Sequence, residues 1–178
     1  MRRCAFLLCC LLLPLSAPGA DRIADLRPGV ACERIPGIEQ SLGSVALGDR
    51  GEGSELSYRG IQGARTAMIS YHCVAGALVE QRILVAVDSR EEALGYADAQ
   101  RRELVRRLGD PIHDGLRLPT WRKLLYGFLG ADLDYLTAVV IWGNRDEDPM
   151  LRLSQTDAQQ WQVSISQGGS KLEYIINS

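Results

Sequence analysis

Histidine and lysine are nearly missing from this 178-residue chain, with two of each. Two histidines far apart, His72 and His113, cannot build a zinc site alone, and no H-E-x-x-H occurs. A serine nucleophile on a sharp turn would need a G-x-S-x-G, which is absent. No C-x-x-C offers a redox pair. Gly48, Gly51 and Gly53 have the wrong spacing for a phosphate loop, and no lysine follows them. The longest apolar run, 4–15, has 12 residues and contains Pro14. A membrane-spanning helix needs about 20. With 18 of the 20 bases arginine, the lysine shortage reads as the base composition of a GC-rich bacterial genome.

What is present starts with that short run. Arg2 and Arg3 precede it, and the small residues Ser16, Ala17, Gly19 and Ala20 follow. This is the layout of a secretory signal peptide. Cleavage after Gly19 puts Ala17 at the −3 position, so the expected division is a signal peptide over 1–19 and one domain over 20–178. Cys9 and Cys10 lie inside the apolar run, which speaks against a lipid anchor, and Cys4 and Ala5 fit a twin-arginine signal poorly. A periplasmic or secreted location is therefore expected.

Of five cysteines, only Cys32 and Cys73 lie beyond that segment. An even pair in an oxidising compartment predicts a disulfide. Without Arg2 and Arg3, 18 bases face 22 acids, a net charge of −4. That balance argues against nucleic acid, and against an anionic membrane surface, as a partner.

The pattern along the domain predicts an α+β fold: an antiparallel sheet with two or three helices packed on one face, and one disulfide. Residues 20–31 read as a mobile leader. A short helix is expected over 35–43 and a turn-rich loop over 48–54. A strand is expected over 55–60. Period-two alternation then predicts a hairpin, 64–73 with 77–88, whose three-residue loop sets Ile69 opposite Ile83 and Cys73 opposite Val79. Ser89 and Glu92 form a capping box, and Gly109 and Pro111 follow the last apolar position, giving a helix over 90–108. Its stripe is Leu94, Ala97, Leu104, Val105 and Leu108, with Arg101 in the middle. The favoured reading has Arg101 snorkelling out past the stripe; the alternative is a pair with a buried acid. Strands are expected over 137–142 and 151–155. Gly168-Gly169 suggests a terminal hairpin over 161–176, with Ile165 facing Leu172, Val163 facing Tyr174 and Trp161 facing Ile176.

A helix over 120–130 would gather Trp121, Leu124, Leu125, Phe128 and Leu129 on one side. Core packing is the simpler reading of that stripe. The others are a partner surface built on Trp121, Arg122, Tyr126 and Phe128, and, less favoured, a membrane surface, because aromatics beside bases are common at protein and membrane interfaces.

No catalytic residue, metal site or cofactor is nominated. His72 and Cys73 are strand neighbours and point to opposite faces. His113 beside Asp114 could supply two members of a triad, but the turn reading is favoured. Asn144, Asp146 and Asp148 alternate like the start of a calcium loop, yet Pro149 and Gln155 stand where its glycine and glutamate belong. Asp132 and Asp134 read as loop acids. The functional expectation is a non-enzymatic exported protein that binds another envelope or secreted protein, as an inhibitor, immunity protein or accessory factor. The alternative is a periplasmic hydrolase using scattered carboxylates.

Overall fold

The computed structural model describes residues 22–49, 55–143, 145 and 147–169. In chain order, helices α1 (Arg22–Asp25) and α2 (Ile35–Ser41) precede four strands: β1 (Val45–Asp49), β2 (Glu55–Gln62), β3 (Arg65–Val74) and β4 (Ala77–Val87). The long helix α3 (Arg90–Leu108) follows. Then come β5 (His113–Asp114), α4 (Thr120–Phe128), α5 (Leu133–Ala138), β6 (Val139–Ile141), β7 (Met150–Gln155) and β8 (Trp161–Gly168). All eight strands form one antiparallel sheet, ordered β1-β2-β3-β4-β8-β7-β6-β5. With the Cys32–Cys73 disulfide, this is the α+β class.

The sheet is two meanders joined at β4 and β8. α3 carries the chain from the end of β4 towards the far edge, and β5 to β8 step back. One row of side chains crosses the whole join: Tyr58, Ile69, Ile83, Ile165, Leu151 and Val140, all buried. Period-two alternation puts them on one face, and α3 touches β4, β7 and β8 through a stripe that buries Ala93, Ala97 and Leu104. Leu108, expected in this stripe, is exposed instead, because it lies in the helix's last turn.

α3 has the predicted bounds. The Ser89 hydroxyl accepts from the Glu92 N–H at 3.2 Å, and Gly109 closes the helix at φ 86°, a conformation glycine adopts without a Cβ clash. The β3–β4 hairpin has Ile69 opposite Ile83, as expected. Its turn is shorter, however: Ala75 (φ 50°) and Gly76 (φ 78°) form a two-residue loop of the type that suits strand twist. That turn sets Cys73 opposite Leu78, not Val79, and a bulge between His72 and Cys73 restores the expected register at Ile69 and Ile83.

Two local expectations fail. Residues 22–31 are not a loose leader. Ile23 and Leu26 are buried in the core, and Gly29 N–H and Leu78 N–H make backbone bonds of 2.7 and 2.8 Å to Leu78 and Val30 carbonyls. The terminal hairpin fails for a different reason. β8 pairs with β4 from Trp161 to Gly168 on one side and with β7 from Trp161 to Ser166 on the other. No free edge remains for the expected pairing; Leu172, Tyr174 and Ile176 lie outside the described residues. The loop over 48–54 also falls mostly outside them, its first two residues continuing β1.

The N-terminal segment is held by a buried ion pair. Arg22 Nε and Nη2 donate to Glu39 at 2.7 and 3.0 Å, Nη2 also donates to Ser44 Oγ at 2.7 Å, and Nη1 donates to the Ile61 carbonyl at 2.8 Å. Tyr71 Oη donates to the same carboxylate. Burial pushes the Glu39 carboxyl up, but bonds from Arg22, Ser44 and Tyr71 outweigh it and hold the group below its usual range. The same burial and the Glu39 charge push the Tyr71 phenol up.

Candidate functional site

α4 begins after Pro119, whose extended backbone starts the helix without a side-chain cap. At 100° per residue, Trp121, Leu124, Leu125, Phe128 and Leu129 share one arc, while Lys123 and Tyr126 lie on the opposite side. The fold turns that apolar arc outward. Phe128 is 89% exposed, Leu124 71%, Leu129 67% and Trp121 61%, and no α4 residue is buried. The core-packing reading is therefore overturned. The periodicity identifies the face correctly; which way the face points depends on α5, against which α4 packs, with Gly127 facing Leu133.

Of the four candidate partner residues, Trp121 and Phe128 sit on the outward arc. Arg122 flanks it with its guanidinium 5.3 Å from the Trp121 ring centre. Tyr126 is half-buried and turned from the arc, so it does not join the surface. Leu124, Leu125 and Leu129 do. Large apolar side chains normally hide from water, and a contiguous exposed group of them marks an interaction surface.

Beside α4 opens a cleft of about 730 Å³ between the start of α3, α5 and the ends of β7 and β8. Lys123 from α4 lines it, with Arg90, Arg152, Asp132 and Asp134. Arg90 lies 5.9 Å over the Trp161 ring and Arg152 5.3 Å over Tyr135. Asp132 is occupied as the α5 cap, accepting from the Tyr135 N–H at 3.0 Å. Burial raises the Tyr135 phenol against the opposing pull of Arg152. Register puts Arg152 and Met150 on the sheet face opposite Leu151 and Leu153, and Tyr135 contacts both.

The other candidates resolve into structural roles. Cys32 and Cys73 are bonded to each other. His72 is exposed, opposite Glu80. One ring nitrogen of His113 is 2.8 Å from the Leu136 carbonyl, so it carries the proton there. Asp114 Oδ2 instead accepts from Arg101 Nε at 2.7 Å. The two neighbours face opposite ways and form no dyad. Arg101 is thus buried and paired, not snorkelling. Asp114 continues the buried row beyond Val140, which puts a carboxylate under the helix where sequence shows only a loop. In the calcium-like stretch, Asp148 accepts from the Arg145 N–H at 3.0 Å, closing a turn; Asn144 and Asp146 lie outside the described residues. Among the described residues no group of three or more His, Cys, Asp or Glu side chains is placed to hold a metal, and no helix is long and apolar enough to cross a membrane.

Compared with protein-family models, with curated proteins and with solved structures, the chain matches none.

Proposed function

We propose that this is an exported, non-catalytic envelope protein that works by docking, and that the outward arc of α4 is the surface that docks. The observation that carries this reading is the exposure of Trp121, Leu124, Phe128 and Leu129 together on one helix. A face of this kind costs free energy in water and is relieved by being covered. The charged leader, the short apolar run and the disulfide support an extracytoplasmic setting. The accessory-factor class expected from sequence fits such a surface. Hydrolysis by paired carboxylates draws less support: among the described residues the carboxyls with displaced pKa, Glu39 and Glu92, are both held low, whereas a general acid needs one held high.

Cell fractionation tests it. Wild-type protein should appear with the envelope fraction. Leu124→Asp with Phe128→Asp should move it to the soluble fraction while leaving circular dichroism and the unfolding midpoint unchanged, since exposed substitutions shift stability by only about 0.5 kcal/mol. A folded variant that distributes like wild type would overturn the reading.

A further inference from the structure

We infer that the envelope component covered by α4 is an anionic lipid bilayer surface; this rests on the docking reading above and names its partner. Three observations converge. The first is the residue set on the outward arc: one tryptophan, one phenylalanine and three leucines, with no polar residue among them. Helices that lie in the bilayer interface carry Trp, Phe and Leu on the buried side and Lys or Arg on the other. Trp also favours the headgroup level, where its ring is apolar and its N–H is wet.

The second is local charge. The chain as a whole is acidic, with 22 acids against 20 bases. Yet 115–131 contains no acid at all; Arg117 there pairs with Asp98 at 3.4 Å and Lys123 lies away from the arc in the cleft with Asp132 and Asp134, which leaves Arg122 as the base bordering the arc. Net charge therefore misleads here. A peripheral protein meets the membrane through one patch, and beyond a Debye length of about 8 Å in physiological salt the rest of the molecule is screened. Arg122 lies at the border of the arc against Trp121, where a phosphate headgroup would be met as the apolar face enters.

The third is orientation. α4 rests on α5 and none of its residues is buried, so its apolar arc faces solvent along the helix. An interfacial helix needs its apolar side to enter only about 5–10 Å below the headgroups. An arc already turned to solvent can be covered without any rearrangement of the sheet.

The test uses the protein in the form the cell accumulates, mixed with vesicles of phosphatidylcholine alone or of equimolar phosphatidylcholine and phosphatidylglycerol. The readouts are co-sedimentation and tryptophan emission. Trp121 is exposed and Trp142 is buried, so a blue shift on the anionic vesicles that disappears in Trp121→Phe reports α4 entering lipid. Arg122→Gln should weaken partitioning about fivefold, the contribution of one base near an anionic surface, whereas Lys123→Gln, on the opposite side, should leave it unchanged. Raising salt from about 0.01 M to about 1 M, which shortens the Debye length from about 30 Å to about 3 Å, should weaken it similarly. Leu124→Asp with Phe128→Asp should abolish it.

Equal partitioning onto both kinds of vesicle, or onto neither, overturns the anionic-lipid inference. If neither binds while the Leu124 and Phe128 variant still leaves the envelope fraction, α4 is covered by a protein and the docking reading stands. If neither binds and that variant also stays with the envelope, both readings fall.

Discussion

Arg22 and Glu39 form a bidentate ion pair with both side chains withdrawn from solvent. It joins the first described residue to the helix after the disulfide cysteine. Removing one partner strands the other charge in the core, which costs about 3–5 kcal/mol. Glu39→Gln should therefore lower unfolding stability by about that amount. Replacing both residues with apolar ones should lower it less than either single change, a non-additivity that a double-mutant cycle in denaturant measures.

The same pair sets an acid limit. The folded pKa of Glu39 lies below its unfolded value near 4.5. Its contribution is fully present above the unfolded pKa and is lost as pH falls through the folded one. Unfolding midpoints should hold steady from neutral pH to about pH 5 as far as this group is concerned, and drop below about pH 4. Glu39→Gln should remove that part of the drop; a variant as acid-sensitive as wild type would assign the loss elsewhere.

Arg101 pairs with Asp114 at 2.7 Å and stands near Asp98 at 3.7 Å. Arg101→Leu should cost about 2–3 kcal/mol, below the value for a fully buried pair because Asp114 keeps some solvent contact. Adding Asp114→Asn should return part of the loss. A neutral or stabilising Arg101→Leu in denaturant titration would mean the pair contributes nothing.

The Ser89 cap predicts a loss of about 0.5–2 kcal/mol for Ser89→Ala. The Glu92 carboxylate accepts from the Asp88 N–H and pairs with Arg65, so the helix start is held from two sides. Thermal melts of the variant should show the lower end of that range.

The Cys32–Cys73 bridge predicts no free thiol in the unfolded, unreduced protein once the expected signal peptide, with Cys4, Cys9 and Cys10, is removed. Cys32→Ser should cost about 2–4 kcal/mol. Hydrogen exchange should then speed up over 22–49 more than over β7 and β8, because the bridge ties the former to β3 and the latter are held by their own ladders.

Short-range rules wrote α3, its cap, its C-terminal glycine and the Ile69–Ile83 pairing plainly into the sequence. Each depends on residues within a few positions, or on a hairpin whose turn fixes the partner. The apolar arc of α4 was legible for the same reason, and so was the pairing of Cys32 with Cys73, the two cysteines outside the first short apolar run. Distant partners decided the rest. The Gly168-Gly169 turn signal and the matched polarity beyond it are local, but β4 and β7 occupy both edges of β8, and a strand has only two. Leader residues 22–31 look unstructured until Glu39, Tyr71 and Leu78 surround them. Arg101 looks unpaired until the sheet brings a carboxylate from β5 beneath it. Outward or inward orientation of the α4 arc is invisible to periodicity, which defines a face but no direction. Only the tertiary structure sets that face towards solvent, because α5 meets α4 on its polar side.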